Sequence, residues 1–396
     1  MNVIFISPHF PHTYWQFCQR LRQNGAIVLG IGDCPQGSLP GEVRSSLDDY
    51  YYVPNMQNYP DMYKAVAFFA WKYGKIDWIE SNNEFWLETD ARLRTDFHVT
   101  TGVGAGEISD YKQKSAMKRF YRLAGVPTAR QSMVTDIESA RRFIGRVSYP
   151  VIVKPDVGVG ANHTYKLSSD DELVRFFKDK DGQSYVMEEF VSGSIYSYDA
   201  IVNSKGEVLF ESSSVFPPSM MEIVHGQLEL SYCVLKNVPS QLRRRGRATL
   251  KAFGVKSRFI HFEFFRLDAD KKGLGRKGDF IGLEVNMRPA GGYTPDMMDW
   301  AHSTDVYEIW ADMVCFDENR KRPGGDDHFC LYLSRRDRFH YRYSSDEVLV
   351  ACQGHVAMHE RMPEAIADDL GNEFFILHAR TKEEIERFTR LVWEKA

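Results

Sequence analysis

Phe259-Ile260-His261-Phe262-Glu263-Phe264-Phe265 and, after a polar stretch, Phe280-Ile281-Gly282-Leu283-Glu284-Val285-Asn286-Met287-Arg288-Pro289 decide how this chain is read. Side chains alternate faces along a strand. Strict alternation in the second segment puts Ile281, Leu283, Val285 and Met287 on one face, and Gly282, Glu284, Asn286 and Arg288 on the other. A carboxylate, an amide and a guanidinium on one face of an otherwise apolar strand are costly to bury unless a cation and an anion compensate them.

The Lys- and Gly-rich stretch from Asp268 to Asp279 reads as a hairpin connection. Pairing of the two strands brings Glu263 toward Glu284 and Asn286, an oxygen set that suits Mg²⁺, which takes few protein ligands and completes its shell with water and phosphate oxygens. Arg288, farther along that face, is placed to grip a phosphoryl or acyl-phosphate oxygen in two-pronged fashion. Glu263 taken alone would read as a wet strand residue; the four together do not.

The 396 residues, 43% hydrophobic, are enough for several domains, and a net charge of -4 gives no reason to expect nucleic acid or an anionic membrane as partner. Cys18, Cys34, Cys233, Cys315, Cys330 and Cys352 show neither a Cys-x-x-Cys pair nor zinc spacing. They read as reduced thiols of a cytoplasmic protein. No apolar run has the length of a signal peptide or a membrane span.

Up to about residue 108, strand patterns at Val3–Ile6, Ala26–Ile31, Tyr50–Val53 and Ile76–Glu80 alternate with helix patterns at Tyr14–Arg22, Pro60–Tyr73 and Glu84–Thr95. Such alternation predicts a parallel α/β domain. Gly102-Val103-Gly104-Ala105-Gly106 follows a helix and lacks dinucleotide spacing, so it reads as a connection. A helix over Lys112–Leu123, stopped by Gly125, and another over Ile137–Arg146 follow.

Tyr149–Pro155 then reads as a strand that delivers Lys154 to the glycine-bearing loop Asp156–His163, where backbone N–H groups and an ammonium can meet phosphates. Ser184–Gly193 is an apolar strand leaving through Glu188, Glu189, Phe190 and Val191, a type of edge that can serve an adenine ring. Glu211–Tyr232, with Ser212, Ser213, Ser214, Phe216, Pro217, Pro218, Met220, Met221 and His225, reads as a loop suited to substrate. Arg243–Arg247 reads as a solvated helix face. Residues 324–396 read as a small α+β unit ending in a helix over Lys382–Trp393.

The order of these blocks resembles the ATP-grasp superfamily, in the branch of carbamoyl-phosphate-synthetase ATP-binding domains and L-amino-acid ligases. Glu284-Val285-Asn286-Met287-Arg288-Pro289 followed by Ala290-Gly291-Gly292-Tyr293 is the most specific motif, and the likeness extends from the N-terminus to Phe316. The resemblance implies an α/β fold with a Rossmann-like pre-ATP-grasp domain (1–108), a two-lobed α+β ATP-grasp domain (109–190 and 191–323) and a C-terminal α+β cap (324–396). It implies ATP and Mg²⁺ as cofactors, small carboxylate and amine substrates, and an amide formed through an acyl phosphate.

By the same resemblance, Lys114 and Lys154 contact phosphate, with Lys112 a competing choice for the first, while Gly158 and Gly160 belong to the loop over the phosphates. Glu188 and Val191, with Glu189 and Phe190 between them, correspond to the hinge that offers backbone contacts to adenine. Glu263, Glu284 and Asn286 match the magnesium ligands, and Arg288 the arginine at the acyl phosphate. Ile195 departs from the family, which commonly keeps a ribose-contacting glutamate there. A small-metabolite kinase or a non-catalytic nucleotide-binding protein would use the same parts. A homodimer, the commonest closed assembly of soluble enzymes, is compatible with this reading.

Overall fold

The computed structural model describes residues 1–158, 163–216, 228–322 and 324–396. Gly160, and Pro217, Pro218, Met220, Met221 and His225 of the suggested substrate loop, lie outside the described residues.

Four short strands, β1 (Asn2–Ile6), β2 (Ile27–Gly32), β3 (Asp49–Tyr52) and β4 (Trp78–Glu80), form a parallel sheet in the order β3-β2-β1-β4. A parallel sheet is covered on both faces, which is why Val3, Ile4, Phe5 and Ile6 are apolar without alternation. Ile4 and Ile6 pack with Met62, Val66 and Phe69 of the helix Tyr59–Tyr73. Val3 and Phe5 face Phe17 of the helix Trp15–Gln23 and Trp310 of the helix Val306–Phe316. The two helices are also tied by Arg20 and Asp305 at 2.7 Å.

The second sheet, antiparallel and ordered β5-β8-β6-β7, contains β5 (Gln131–Met133), β6 (Val151–Pro155), β7 (Tyr165–Leu167) and β8 (Tyr185–Glu189). Its helices, Ile137–Val147 and Asp170–Asp179, start at side-chain caps from Asp136 and Ser169. The helix expected over Lys112–Leu123 is broken at the extended Gln113 into Ser109–Lys112 and Lys114–Leu123. Asp156, just after β6, causes the break. Its carbonyl accepts Lys114 N–H at 2.9 Å and its carboxylate accepts Ser115 N–H at 2.8 Å, so the second helix is capped from a distant segment.

The third sheet holds nine strands: β9 (Gly193–Val202), β10 (Val208–Ser212), β11 (Ser214–Phe216), β12 (Ser231–Val234), β13 (Arg258–Leu267), β14 (Phe280–Asn286), β15 (Phe329–Arg335), β16 (Val356–Arg361) and β17 (Glu373–Ala379). The order is β14-β13-β9-β11-β12-β15-β17-β16, with β10 also on β9. The C-terminal α+β segment thus adds its strands to the same sheet through β15 on β12. The expected loop over Glu211–Tyr232 is corrected at both ends, because Glu211–Ser212, Ser214–Phe216 and Ser231–Tyr232 are strand residues. Three serines in a row disguise the strand. They are nevertheless fully buried, with Ser212 Oγ 2.8 Å from His302 Nε2 and Ser214 N–H donating to Ser197 Oγ.

β13 and β14 form the expected hairpin, but strict alternation along β14 fails at Leu283. Glu263 lies opposite Glu284 and Phe264 opposite Gly282, so Leu283 is the extra residue of a β-bulge. Beyond it the faces exchange. Ile281 joins Val191, Leu267 and Phe265 on the acid-bearing side, whereas Gly282 turns to the opposite core. A Cβ at Gly282 would stand 2.3 Å from the fully buried Tyr121 ring. Gly282→Ala is therefore expected to destabilise the protein by about 1–3 kcal/mol through overpacking, and an unmoved urea midpoint would refute this contact.

Candidate functional site

The register of the third sheet sets the acids. Glu263 and Glu284 are directly opposite one another, as are His261 and Asn286, so all four side chains share one face at the sheet's edge hairpin. The carboxylates remain 28% and 22% exposed, which leaves them open to an incoming ligand. Burial alone would raise the Glu263 carboxyl, but the hydrogen bond and charge of His261, with Arg288 and Lys154, hold it below the ordinary range. His261 itself is pushed up to about 9, because Asp199 and Glu263 outweigh the effect of its burial.

Lys114 reaches this group from the capped helix, its ammonium 3.1 Å from Glu284 Oε1 and 3.1 Å from the carbonyl of Gly158. Lys112 instead stands 3.6 Å from Glu88, so of the two competing lysines only Lys114 faces the acids. Two carboxylates and an amide oxygen from adjacent strands suit a hard cation that keeps several waters. Among the described residues no group of three or more His, Cys, Asp or Glu is arranged to hold a metal ion.

A second ionic cluster faces the first from the antiparallel sheet. Glu188 Oε2 is 2.8 Å from Lys154 Nζ and its Oε1 is 2.7 Å from Lys118 Nζ, all three side chains being buried. Burial would raise the Glu188 carboxyl, but the two lysines bring it down to about 2. Lys154 is raised despite its burial by Glu188, Glu284 and Glu263. Lys118 was not singled out in the sequence, although it stands one helical turn beyond Lys114 and so shares its face.

The expected backbone contact from Glu188 to adenine is corrected. Glu188 is paired with Gln131 on one side and Ile152 on the other, so its main chain lies within the sheet and its carboxylate has the structural role. Glu189 is likewise engaged, donating its N–H to Arg130 O at 3.0 Å and accepting Arg130 Nη2 at 2.7 Å. Phe190 and Val191 leave the sheet. Phe190 O accepts from the Lys271 ammonium, and Val191 packs with Ala129, Leu267, Leu274, Ile281 and Phe265. The exchange of faces at Leu283 is what brings Ile281 into that apolar seat, next to the acids.

Arg288 points across to the N-terminal sheet, where its Nε is 3.6 Å from Glu84 Oε2. Glu84 is nearly buried, and burial raises its carboxyl although Arg288 and Lys112 oppose this. It was missed in the sequence. The available signal was Ser81-Asn82-Asn83-Glu84 at the carboxyl end of a parallel strand, where open α/β sheets place ligands. Glu80, at the end of β4, accepts both Arg94 (3.0 Å) and Arg258 (2.9 Å), and Arg258 also donates to Met287 O, so the N-terminal sheet is fastened beside the acid-bearing hairpin.

No family model matches the chain. It is 23% identical over 324 residues to an L-arginine-specific L-amino acid ligase of Bacillus subtilis, covering 78% of this chain and 74% of the relative. Its fold is similar to that of an L-amino acid ligase from Bacillus licheniformis, with a TM-score of 0.72, 15% identity, and 99% and 96% of the two chains covered. It is also similar to the biotin carboxylase domain of the Hydrogenobacter thermophilus 2-oxoglutarate carboxylase, a dimer determined with MgADP, ADP and bicarbonate, at a TM-score of 0.67 and 16% identity over 98% and 89% of the chains. With a parallel N-terminal sheet, a small antiparallel sheet facing a large one, and charged residues gathered between them, the chain has the ATP-grasp fold that these structures share.

Proposed function

We propose that the protein is an ATP- and Mg²⁺-dependent carboxylate–amine ligase that joins an amino acid or other small carboxylate to an amine through an acyl phosphate. The carrying observation is the in-register pair Glu263 and Glu284 with Lys114 bridged to Glu284, set against the buried Lys154–Glu188–Lys118 cluster. Glu263, Glu284 and Asn286 would hold Mg²⁺, which would supply positive charge to offset that of the transferring phosphate. Lys114 and Lys154 bind the phosphate oxygens, with Glu188 holding Lys154 extended. The apolar group of Val191, Leu267, Ile281 and Phe265 receives the adenine ring, with the main chain of Phe190 and Val191 alongside its edge.

The substrate carboxylate attacks the γ-phosphorus as the bond to ADP breaks, and Arg288 neutralises the acyl phosphate. The amine nitrogen then displaces phosphate from the carbonyl carbon. These steps need position and charge rather than a protein nucleophile, in keeping with a site of lysines, arginine and acids. Six free cysteines support a reducing, cytoplasmic setting, and among the described residues no helix is long and apolar enough to cross a membrane. A homodimer would parallel the biotin carboxylase domain dimer.

The test is a pairwise screen of amino acids and small carboxylates with ATP and Mg²⁺, reading phosphate release and product mass. An amide product and loss of turnover with a chelator are expected. A surviving phosphate ester would make the protein a kinase, and ATP binding without ADP formation would make it a non-catalytic binder.

A further inference from the structure

Behind Glu263 runs a row of polar side chains that the proposed reaction does not use. His261 lies opposite Asp199 of β9, and Glu263 lies opposite Ser197. Both ring nitrogens of His261 meet carboxylates, Nδ1 at 2.6 Å from Asp199 Oδ1 and Nε2 at 3.3 Å from Glu263 Oε1. A ring with an acceptor on each side serves as donor from each nitrogen. The other Asp199 oxygen accepts the Ser197 hydroxyl, whose oxygen in turn accepts Ser214 N–H at 2.8 Å. The row thus crosses β11, β9 and β13 from the interior of the sheet to the cleft, and its last member is a cleft acid.

Asp199 is fully buried, Ser197 and Ser214 likewise, and His261 is 5% exposed. A buried carboxylate is costly unless it is paired and hydrogen-bonded. Its partner here is a histidine whose far nitrogen lies 3.3 Å from Glu263 Oε1. One Glu263 oxygen is tethered, the rotation of the carboxylate is restricted, and the second oxygen is left for a ligand.

We propose that Asp199, acting through His261, is a positioning residue that fixes the Glu263 carboxylate for the divalent cation. This rests on the metal-nucleotide part of the proposed function and on no particular substrate. Outer partners of this kind set both the orientation and the charge of a metal-binding side chain.

The test uses the full chain with Asp199→Asn and His261→Gln. Two quantities are read: the Mg²⁺ concentration giving half-maximal ADP formation, and the increase in melting temperature that Mg²⁺ adds in the presence of ADP. The half-saturating concentration is expected to rise about 10–100-fold, the ADP-dependent thermal increment to shrink in step, and high Mg²⁺ to restore most of kcat. A purely structural row would lower the melting temperature while leaving half-saturation where it is, and that result overturns the proposal. Ser197→Ala, one link farther out, should shift half-saturation in the same direction by less; it decides the matter if Asp199→Asn does not fold, and no shift then counts against the proposal. If the wild-type protein shows no Mg²⁺ increment with ADP, the proposed function fails as well; if it does and the variants match it, only the positioning role fails.

Discussion

Glu284→Gln is expected to lower turnover by about 10²–10³-fold, the range seen when one preorganised electrostatic contact is removed from a reacting centre, while the protein stays folded. Glutamine retains the size of the side chain and an oxygen that can accept from Lys114, so the helix Lys114–Leu123 keeps its tie to β14. What it removes is one of two anionic oxygen donors that face each other across the hairpin. The proposed Mg²⁺ site is left with one carboxylate, which weakens its hold on a strongly hydrated dication. ADP release at saturating ATP and the melting temperature, measured side by side, check the expectation. Normal turnover in the folded variant would remove Glu284 from the machinery.

The second large effect is on stability. Glu188→Ala leaves the ammonium groups of Lys118 and Lys154 buried with no common counter-charge. Breaking a buried ion pair by deleting one partner costs about 3–5 kcal/mol, and here one deletion strands two cations. Urea unfolding near neutral pH should show the loss. The pH dependence has a definite sign. Because the folded-state carboxyl lies at about 2, below the value of about 4.3 for an unfolded glutamate, its contribution is complete above the unfolded value and fades as pH falls through that interval. Wild type and variant should therefore converge in stability as the solution approaches the lower value. A constant gap across the acid range would mean that packing, and not charge, sets the effect.

Much of this architecture could be read along the chain because the controlling forces there are local. Alternating strand and helix patterns before residue 108 correspond to β1–β4 and their helices within a few residues, and the Lys/Gly-rich connection does join β13 to β14. The acids on β14 follow directly from two-residue periodicity on the near side of Leu283. The far side does not, since a bulge is defined by its partner strand and is invisible in one strand's pattern. The same reason hid the cap from Asp156, whose partners are distant in the chain. Glu188 entered the hinge by resemblance; its own place between β5 and β6 is a matter of pairing. Lys118 and Glu84 carried only weak signals, a shared helix face and a strand's carboxyl end, and it is burial beside opposite charges that gives them meaning.

Lys154 and Glu188 belong to the small antiparallel sheet, Glu263 and Glu284 to the large one, and between β8 and β9 the connection is only Phe190–Ser192. The large sheet is continuous from β14 to β16. The halves are also tied by the Lys114–Glu284 bridge and by Gly282 N–H donating to Pro127 O at 2.8 Å, so an occupant seated between them acts as mortar between two slabs. A spectroscopic ruler spanning the slabs would register its arrival as a change in separation, with neither slab altering its own shape.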